Sequence, residues 1–206
     1  GFMEVKRGCM IAVSAISDIG DKILLSNGEE ICYTKRKKKA LREELQKKQE
    51  LMIAKISKKK LPLTPEEYGK YYKICDSLPF AFTDIEMVFN EEKKAVDWIF
   101  RYGNEALATL EKLPLDKMIG NSFSSLFSNM DAKWLHVYER ATLYGETLEI
   151  MDYSPEIDTN LKIICFPTFP GHCGCILFNA DEMKSISEEN HLVRLVEVSM
   201  KSNSSK

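Results

Sequence analysis

The sequence predicts an α+β fold in which an antiparallel sheet carries a group of helices on one face. From Phe80 onward, apolar runs follow the order β-β-α-α-α-α-β-β-β, which is typical of that class. Hydrophobic residues make up 44% of the 206 positions, which is enough for a packed core and argues against wholesale disorder. A chain of this length forms one large domain or two small ones.

The first predicted elements are strands. Residues 9–13 form a short buried strand, and strands near 22–26 and 29–34 flank the pair Asn27-Gly28. Asn-Gly between two apolar runs is the strongest short-range hairpin signal, because a type I′ turn needs positive φ at both central residues. We therefore expect a tight two-residue hairpin at this position.

A run of five cations, Lys35 to Lys39, follows at the start of a charged helix whose candidate N-cap is Thr34. Residues 35–60 hold twelve Lys or Arg and three Glu, a local charge of +9, so the net charge of −2 leaves −11 for the remainder. This asymmetry predicts two parts with different roles. A narrow apolar stripe on the helix suits a connector or a weak dimer seam. The stripe comprises Leu41, Leu45, Leu51, Met52 and Ile56.

A second, shorter helix is predicted to begin after Thr64. Pro65 suits the first helical position, and Glu67 is placed to form a capping box with Thr64. Together with the end of the charged helix, this segment makes residues 48–78 a helical linker.

The predicted sheet unit spans residues 79–184. Its strands lie at 80–89, 96–102, 147–153, 160–169 and 172–179. Between the second and third strands, Asn104 caps one helix and Asp131 caps a longer helix that Gly145 ends. Residues 185–206 are expected to form a short amphipathic helix and a disordered end.

The sheet unit carries several short motifs in a fixed order. They are Phe80-Ala-Phe, Trp98-Ile-Phe-Arg101-Tyr102-Gly-Asn104-Glu-Ala106-Leu, Leu115-Asp-Lys-Met118-Ile119-Gly120-Asn-Ser-Phe123, Leu126-Phe127 and Gly174-Cys-Ile-Leu-Phe178-Asn-Ala-Asp181-Glu182. Their order and distances resemble those of PAS domains, although the exit motif is altered. The resemblance covers about 80–183. It implies a five-stranded antiparallel sheet with helices on one face, acting as a sensor or dimerisation domain.

The PAS resemblance also implies a ligand pocket between the sheet and the helices. The residues expected to line it are Phe82, Ile99, Phe123, Trp134, Tyr138, Ile164 and Phe166. The alternative is a core that these aromatic side chains fill completely.

No cofactor or metal is required by the sequence. His136 lies on the long helix where haem-binding PAS domains carry their axial ligand, but a lone helical histidine is more often a surface residue. Flavin is not expected, because residues 121–123 lack the reactive cysteine of photosensing PAS domains. The run His172-Cys173-Gly-Cys175, with Cys165 nearby, suggests zinc, yet buried apolar cysteines explain the same residues.

Another set of segments lies near the amino terminus. These are Glu4-Val-Lys6-Arg7-Gly8-Cys9-Met10-Ile11-Ala12, Ile16, Ile19, Leu25-Ser-Asn27-Gly28 and Thr34-Lys35-Arg36. They resemble the carboxy-terminal half of a LytTR domain, a DNA-binding module of bacterial response regulators, over about residues 3–47. The family's first strands and helix have no counterpart here.

The LytTR resemblance implies DNA contacts from loops and strand ends rather than from a recognition helix. Arg7 and Arg36 occupy contacting positions of that family, and Lys6, Lys35 and Lys37 are neighbouring cations that can bind phosphates. A solvated helix start also explains the run of cations.

Several function classes are not expected. No nucleophile–base–orienter set, phosphate-binding glycine loop, kinase motif or cyclase motif is visible, so we expect no enzyme. Six cysteines without a disulfide-scaffold pattern favour reduced thiols in a cytoplasm. No apolar run is long enough to span a membrane, and no signal peptide is visible. The start, Gly-Phe-Met, suggests a fragment or a chain beginning near Met3.

These observations predict a cytoplasmic bacterial transcription regulator in signal transduction, for example in a two-component system. It comprises a partial LytTR-like unit (1–47), a helical linker (48–78), a PAS domain (79–184) and a carboxy-terminal segment (185–206). The expected partners are DNA, a second copy in a homodimer, and a small-molecule ligand.

Two other interpretations remain open. In one, the chain is the PAS sensory or dimerisation module of a truncated kinase or diguanylate cyclase, and the basic segment is only a connector. In the other, the basic helix binds an acidic protein or a membrane surface.

Overall fold

The computed structural model describes residues 1–59, 63–128 and 132–183. The strands are β1 (Phe2–Lys6), β2 (Cys9–Ala12), β3 (Ile16–Ile19), β4 (Ile23–Leu25), β5 (Glu30–Ile31), β6 (Ala81–Phe89), β7 (Ala95–Gly103), β8 (Leu148–Ser154), β9 (Thr159–Pro167) and β10 (His172–Asn179). The helices are α1 (Lys38–Lys59), α2 (Pro65–Tyr71), α3 (Glu105–Glu111), α4 (Leu115–Met118), α5 (Phe123–Leu126) and α6 (Ala132–Tyr144). The predicted cap at Asp131 and the predicted carboxy-terminal segment 185–206 lie outside the described residues.

Strands β6 to β10 form one antiparallel sheet in the order β7-β6-β10-β9-β8. Helices α3 to α6 lie between β7 and β8 in the chain and pack on one face, which we call the inner face. The predicted α+β class and the predicted order of these elements are confirmed. Large buried side chains of the inner core are Ile85, Trp98, Phe100, Leu107, Met118, Tyr138 and Ile163.

Asn104 forms the cap predicted for α3, and it also joins three elements. Its side chain is almost fully buried, and its Oδ1 accepts hydrogen bonds from the backbone N–H groups of Phe82 and Leu107, each at 3.0 Å. Its Nδ2 donates to the carbonyls of Cys75 and Phe80, each at 3.0 Å. One amide therefore ties β6 and α3 to the turn that follows α2.

The opposite, outer face of the sheet is covered by α2. This helix begins with the predicted capping box: Thr64 Oγ1 accepts from the Glu67 N–H at 3.3 Å, and Glu67 Oε2 accepts from the Thr64 N–H at 2.7 Å. An aromatic layer then fills the space between α2 and the sheet. It consists of Tyr68, Tyr72, Phe82 and Tyr102.

The amino-terminal residues form a smaller unit of two sheets. Strand β1 pairs with β2, and β3, β4 and β5 form a three-stranded sheet. Its core comprises Met3, Val5, Ile11, Val13, Ile16, Ile19, Ile23 and Leu41. Strand β1 is not predicted from the sequence, because a five-residue strand with two inward positions gives little periodic signal. Leu41 comes from α1, and Tyr144 of α6 packs against this core, so the two units are in contact.

The hairpin between β4 and β5 is present, but the predicted type I′ turn is wrong. Gly28 has a φ of 85°, whereas Asn27 is not in the left-handed region. The Gly28 N–H donates to the Leu25 carbonyl at 2.9 Å, and the Leu25 N–H donates to the Glu29 carbonyl at 2.8 Å. This is a three-residue loop whose last residue, a left-handed glycine, forms a bulge. One glycine therefore suffices for the reversal.

Helix α1 begins at Lys38, after a single 3-10 turn at 35–37. Thr34 precedes that turn, but its side chain caps no backbone N–H group. Of the predicted stripe, Leu41 is buried and Leu51 is 55% exposed. Ile53, which the stripe omitted, is buried instead.

Candidate functional sites

The cations expected to bind DNA lie in two places on the amino-terminal unit. Lys6 and Arg7 lie at the turn between β1 and β2, and the other three occupy the 3-10 turn before α1. All five are exposed. Among the residues that the structure describes, none of the five has an ion-pair partner, and no hydrogen bond joins the two places. These positions therefore offer charge that no described residue neutralises.

Cations beside the 3-10 turn are paired. Lys38 Nζ lies 3.5 Å from Asp21 Oδ1, and Lys39 Nζ lies 3.9 Å from Glu43 Oε1. The contrast places the available positive charge at Lys35, Arg36 and Lys37.

The inner face encloses a cavity of about 40 Å³ between the sheet and the helices. That volume holds a water molecule or two. Phe123, Trp134 and Tyr138, three of the seven residues expected to line a ligand pocket, do line this cavity.

The other four expected pocket residues lie elsewhere. Phe82 and Phe166 belong to the outer aromatic layer, and Ile99 and Ile164 are half-buried beside inward-facing neighbours on their strands. Successive strand residues point to opposite faces, and here both faces are covered, so hydrophobicity alone does not distinguish inward from outward positions.

Two carboxyl groups border the inner cavity. Burial, and then the neighbouring Glu156 carboxylate, raises the pKa of Glu111 to about 7. Ser154 Oγ donates to Glu156 Oε2 at 2.7 Å, whereas Glu156 Oε1 is buried and has no hydrogen-bond partner among the described residues. The lining of the inner cavity therefore includes carboxyl groups as well as aromatic rings.

A buried polar network lies under α2 on the outer face. Asp84 is 0% exposed, and its Oδ1 lies 2.6 Å from Nδ1 of His172, which is 1% exposed. Its Oδ2 accepts hydrogen bonds from the Tyr72 hydroxyl at 2.7 Å and from Thr168 Oγ1 at 2.5 Å. Burial, and then the Asp84 carboxylate, raises the pKa of Tyr72 well above its usual range, so the phenol remains a donor. We call these four residues the outer-face network.

The outer-face network extends to a second carboxylate. His172 Nε2 lies 3.4 Å from the Tyr68 hydroxyl and 3.8 Å from Glu86 Oε2. Glu86 Oε2 also accepts from Arg101 Nε at 2.6 Å. This network was not predicted from the sequence. Two acidic residues, Asp84 and Glu86, within an otherwise apolar strand could have indicated it, because buried carboxylates need partners.

The cysteines and His172 do not converge. Cys173 and Cys175 face the inner core with their sulfurs 3.9 Å apart, whereas His172 belongs to the outer-face network. Burial raises the pKa of Cys165 to about 12, so its thiol stays protonated. Within the described residues, no group of three potential ligands is arranged to hold a metal ion.

A larger cleft lies where the two units meet, with a volume of about 730 Å³. Its walls come from β3, α1, the turn between β6 and β7, and α6. His136 lies here rather than in the inner cavity, and its Nε2 is 3.3 Å from Ser17 Oγ across the boundary between the units.

No protein-family model matches the chain, and no curated protein matches it. In the part of the chain that the structure describes, no helix is long and apolar enough to cross a lipid bilayer.

Proposed function

We propose that this chain is a bacterial signal-responsive transcription regulator, in which a PAS-type sensor governs LytTR-type DNA binding. The observation that carries the proposal is helix α1, a continuous 22-residue helix that joins the exposed cations to the sheet unit. At its start, Leu41 is part of the amino-terminal core. Near its end, Ile56 lies against Gly171, where an added Cβ would be 3.2 Å from Ile56 Cγ2.

The sensor half of the proposal rests on topology. A five-stranded antiparallel sheet with four helices inserted between its second and third strands is the arrangement that the PAS resemblance implies. The inner cavity supports a small ligand only if the aromatic side chains around it move apart, because its present volume is about 40 Å³.

The DNA half of the proposal rests on electrostatics. Exposed cations without protein partners release counterions from DNA when they bind phosphates, which makes binding steeply salt-dependent. Arginine can also bind a guanine edge through two parallel hydrogen bonds. Arg7 and Arg36, both exposed and unpaired within the described residues, suit this role.

The test is DNA binding by the full chain. We would select ligands from duplexes with a randomised central segment and then titrate the selected duplex at several salt concentrations. Arg7→Ala and Arg36→Ala should each weaken binding by roughly tenfold to a hundredfold, and should lower the salt slope by about one unit.

Lys47→Ala is the matched control, because Lys47 is an exposed cation on α1 outside the 3-10 turn. Its salt slope should be that of the parent protein. If Arg7→Ala and Arg36→Ala bind with the parent's affinity and salt slope, the DNA-binding proposal is wrong.

A second candidate function, a PAS-type interaction module, is favoured by one specific feature. Tyr71 and Ile74, on and just after α2, are 65% and 81% exposed, although both are large and apolar. Native mass spectrometry of the parent and of Ile74→Glu tests this candidate. A dimer that Ile74→Glu dissociates would support it, and a monomeric parent would exclude homodimerisation through this surface.

A further inference from the structure

The cleft between the two units has the size of a small-molecule site. Its volume of about 730 Å³ falls within the range of about 300–1,000 Å³ typical of ligand pockets, which occur preferentially between domains. The inner cavity, at about 40 Å³, does not reach that range. A ligand that fills the cleft would contact both units at once.

Two helices face each other across the cleft with polar side chains. Arg42, Gln46 and Gln49 of α1 are spaced by four and three residues, so they share one helical face. His136 and Glu139 of α6 line the opposite wall, three residues apart. The two helices touch where the Gln49 side chain hydrogen-bonds Tyr144 of α6, and beside that contact the polar side chains border open space, which is suited to a polar ligand.

The cleft offers unpaired groups of both charges. Lys94 Nζ lies 3.3 Å from Glu92 Oε2, so these two neutralise each other. Arg42 donates from Nε to the Ile19 carbonyl at 2.7 Å, and within the described residues its Nη atoms have no partner. Glu139 likewise has no cation beside it in that part of the chain.

The burial of the Glu139 carboxyl group favours a positively charged ligand. Burial raises the pKa of Glu139 to about 7, against the opposite effect of the Ala95 backbone N–H. A carboxyl group that has lost hydration without gaining a cation is stabilised by a ligand that brings one. His136, whose pKa is lowered first by burial and then by Arg140, stays neutral near pH 7 and leaves that role to the ligand.

We propose that the cleft binds a free amino acid, with the ligand's ammonium group near Glu139 and its carboxylate near Arg42. A zwitterion satisfies both unpaired groups, whereas a simple amine or a simple carboxylate satisfies one. The apolar side chains of Leu45 and Leu135 also line the cleft and provide a surface for the ligand's side chain. This inference concerns a different site from the inner cavity and does not depend on DNA binding.

The experiment is a thermal-shift screen of the full chain, without DNA, against each common L-amino acid, followed by calorimetry of those that bind. At saturation, a binding amino acid should raise the Tm by roughly 5 °C or more. The corresponding decarboxylated amine and deaminated acid should each bind at least roughly tenfold more weakly. Calorimetry near pH 7, in buffers of different ionisation enthalpy, should detect proton release from Glu139 on binding.

Two variants separate binding from folding. Glu139→Gln keeps the shape of the side chain and should weaken binding roughly tenfold or more while abolishing proton release. Ala132→Trp, at the exposed rim, should block the cleft without disturbing a core. Glu43→Gln, an exposed carboxylate of α1 that does not line the cleft, is the control and should bind as the parent does. If no amino acid binds, or if Glu139→Gln binds as tightly as the parent, the inference is wrong.

Discussion

The two faces of the five-stranded sheet are both buried, but they are stabilised by different chemistry. The inner face packs apolar and aromatic side chains against helices α3 to α6. The outer face holds Asp84 and His172 under α2, with every oxygen of the aspartate hydrogen-bonded. Apolar burial tolerates imprecise geometry, whereas a buried charge depends on each of its partners. A substitution in the outer-face network should therefore be coupled energetically to the residues that share its hydrogen bonds.

The largest expected effects are of similar size on the two faces but differ in mechanism. Asp84→Ala should lower the free energy of unfolding by about 3–5 kcal/mol, because three donors, of which Tyr72 and His172 are buried, lose their shared acceptor. Trp98→Ala on the inner face should cost a similar amount, about 3–5 kcal/mol, by leaving a cavity. Urea denaturation measures both.

A double-mutant cycle with His172→Ala distinguishes the two mechanisms. Asp84 and His172 should show a coupling energy of about 0.5–3 kcal/mol, whereas Trp98 and His172, on opposite faces, should be nearly additive. Glu149→Ala is the control, because Glu149 forms a surface ion pair with Lys162. Its cost should be about 0–1 kcal/mol. If Asp84→Ala costs no more than Glu149→Ala, the outer-face network does not stabilise the fold.

The next prediction concerns Glu111 on the inner face and the pH dependence of the free energy of unfolding. The pKa of Glu111 is raised from 4.5 to about 7, so the buried carboxyl group prefers its neutral form in the folded state. Its contribution to stability is fully present below pH 4.5 and is lost as the pH rises through 7. Glu111→Gln should flatten this dependence and stabilise the protein at pH 8 by about 1–2 kcal/mol, after allowance for solvent screening.

Thermal unfolding across pH 4 to 9 measures the change. Glu139, whose pKa is also about 7, shifts stability in the same direction, so a residual loss of stability near pH 7 should remain in Glu111→Gln and become smaller in the double variant with Glu139→Gln. A parent-like slope in Glu111→Gln would show that the carboxyl group is hydrated.

The smallest expected effect concerns the helix that covers the outer face. Thr64→Ala removes one side of the capping box and should cost about 1 kcal/mol. Hydrogen exchange should accelerate at the amides of α2 and leave the inner strands unchanged, because α2 covers only the outer face. Thr64→Ser, which keeps the hydroxyl group, should exchange as the parent does. Faster exchange in β9 would contradict the independence of the two faces.

Local signals were predicted well from the sequence. The capping box at Thr64 and the cap at Asn104 depend on hydrogen bonds within a few residues, which sequence spacing specifies. The order of the elements from β6 to β10 followed from hydrophobic periodicity in the same way.

Features that depend on distant partners were not predicted. Phe82 was expected in the inner pocket, yet α2 covers the outer face and makes that position apolar as well. His172 and Asp84 are 88 residues apart, so only the sheet pairing brings them together. A bulge between Asp84 and Ile85 in their pairing with β7 also places Tyr102 opposite Asp84, on the outer face.

Helix α1 also has a mechanical consequence. With 22 residues it is about 33 Å long, and it is held by Leu41 near one end and by Ile56 against Gly171 near the other. A tilt of about 5° about one end displaces the other by roughly 3 Å, comparable with the distance over which a phosphate contact is made or lost. Gly171 directly precedes His172, so the helix ends beside the outer-face network. Because of the length of the helix, a slight repacking under α2 would thus cause a larger displacement of Lys35 to Lys37.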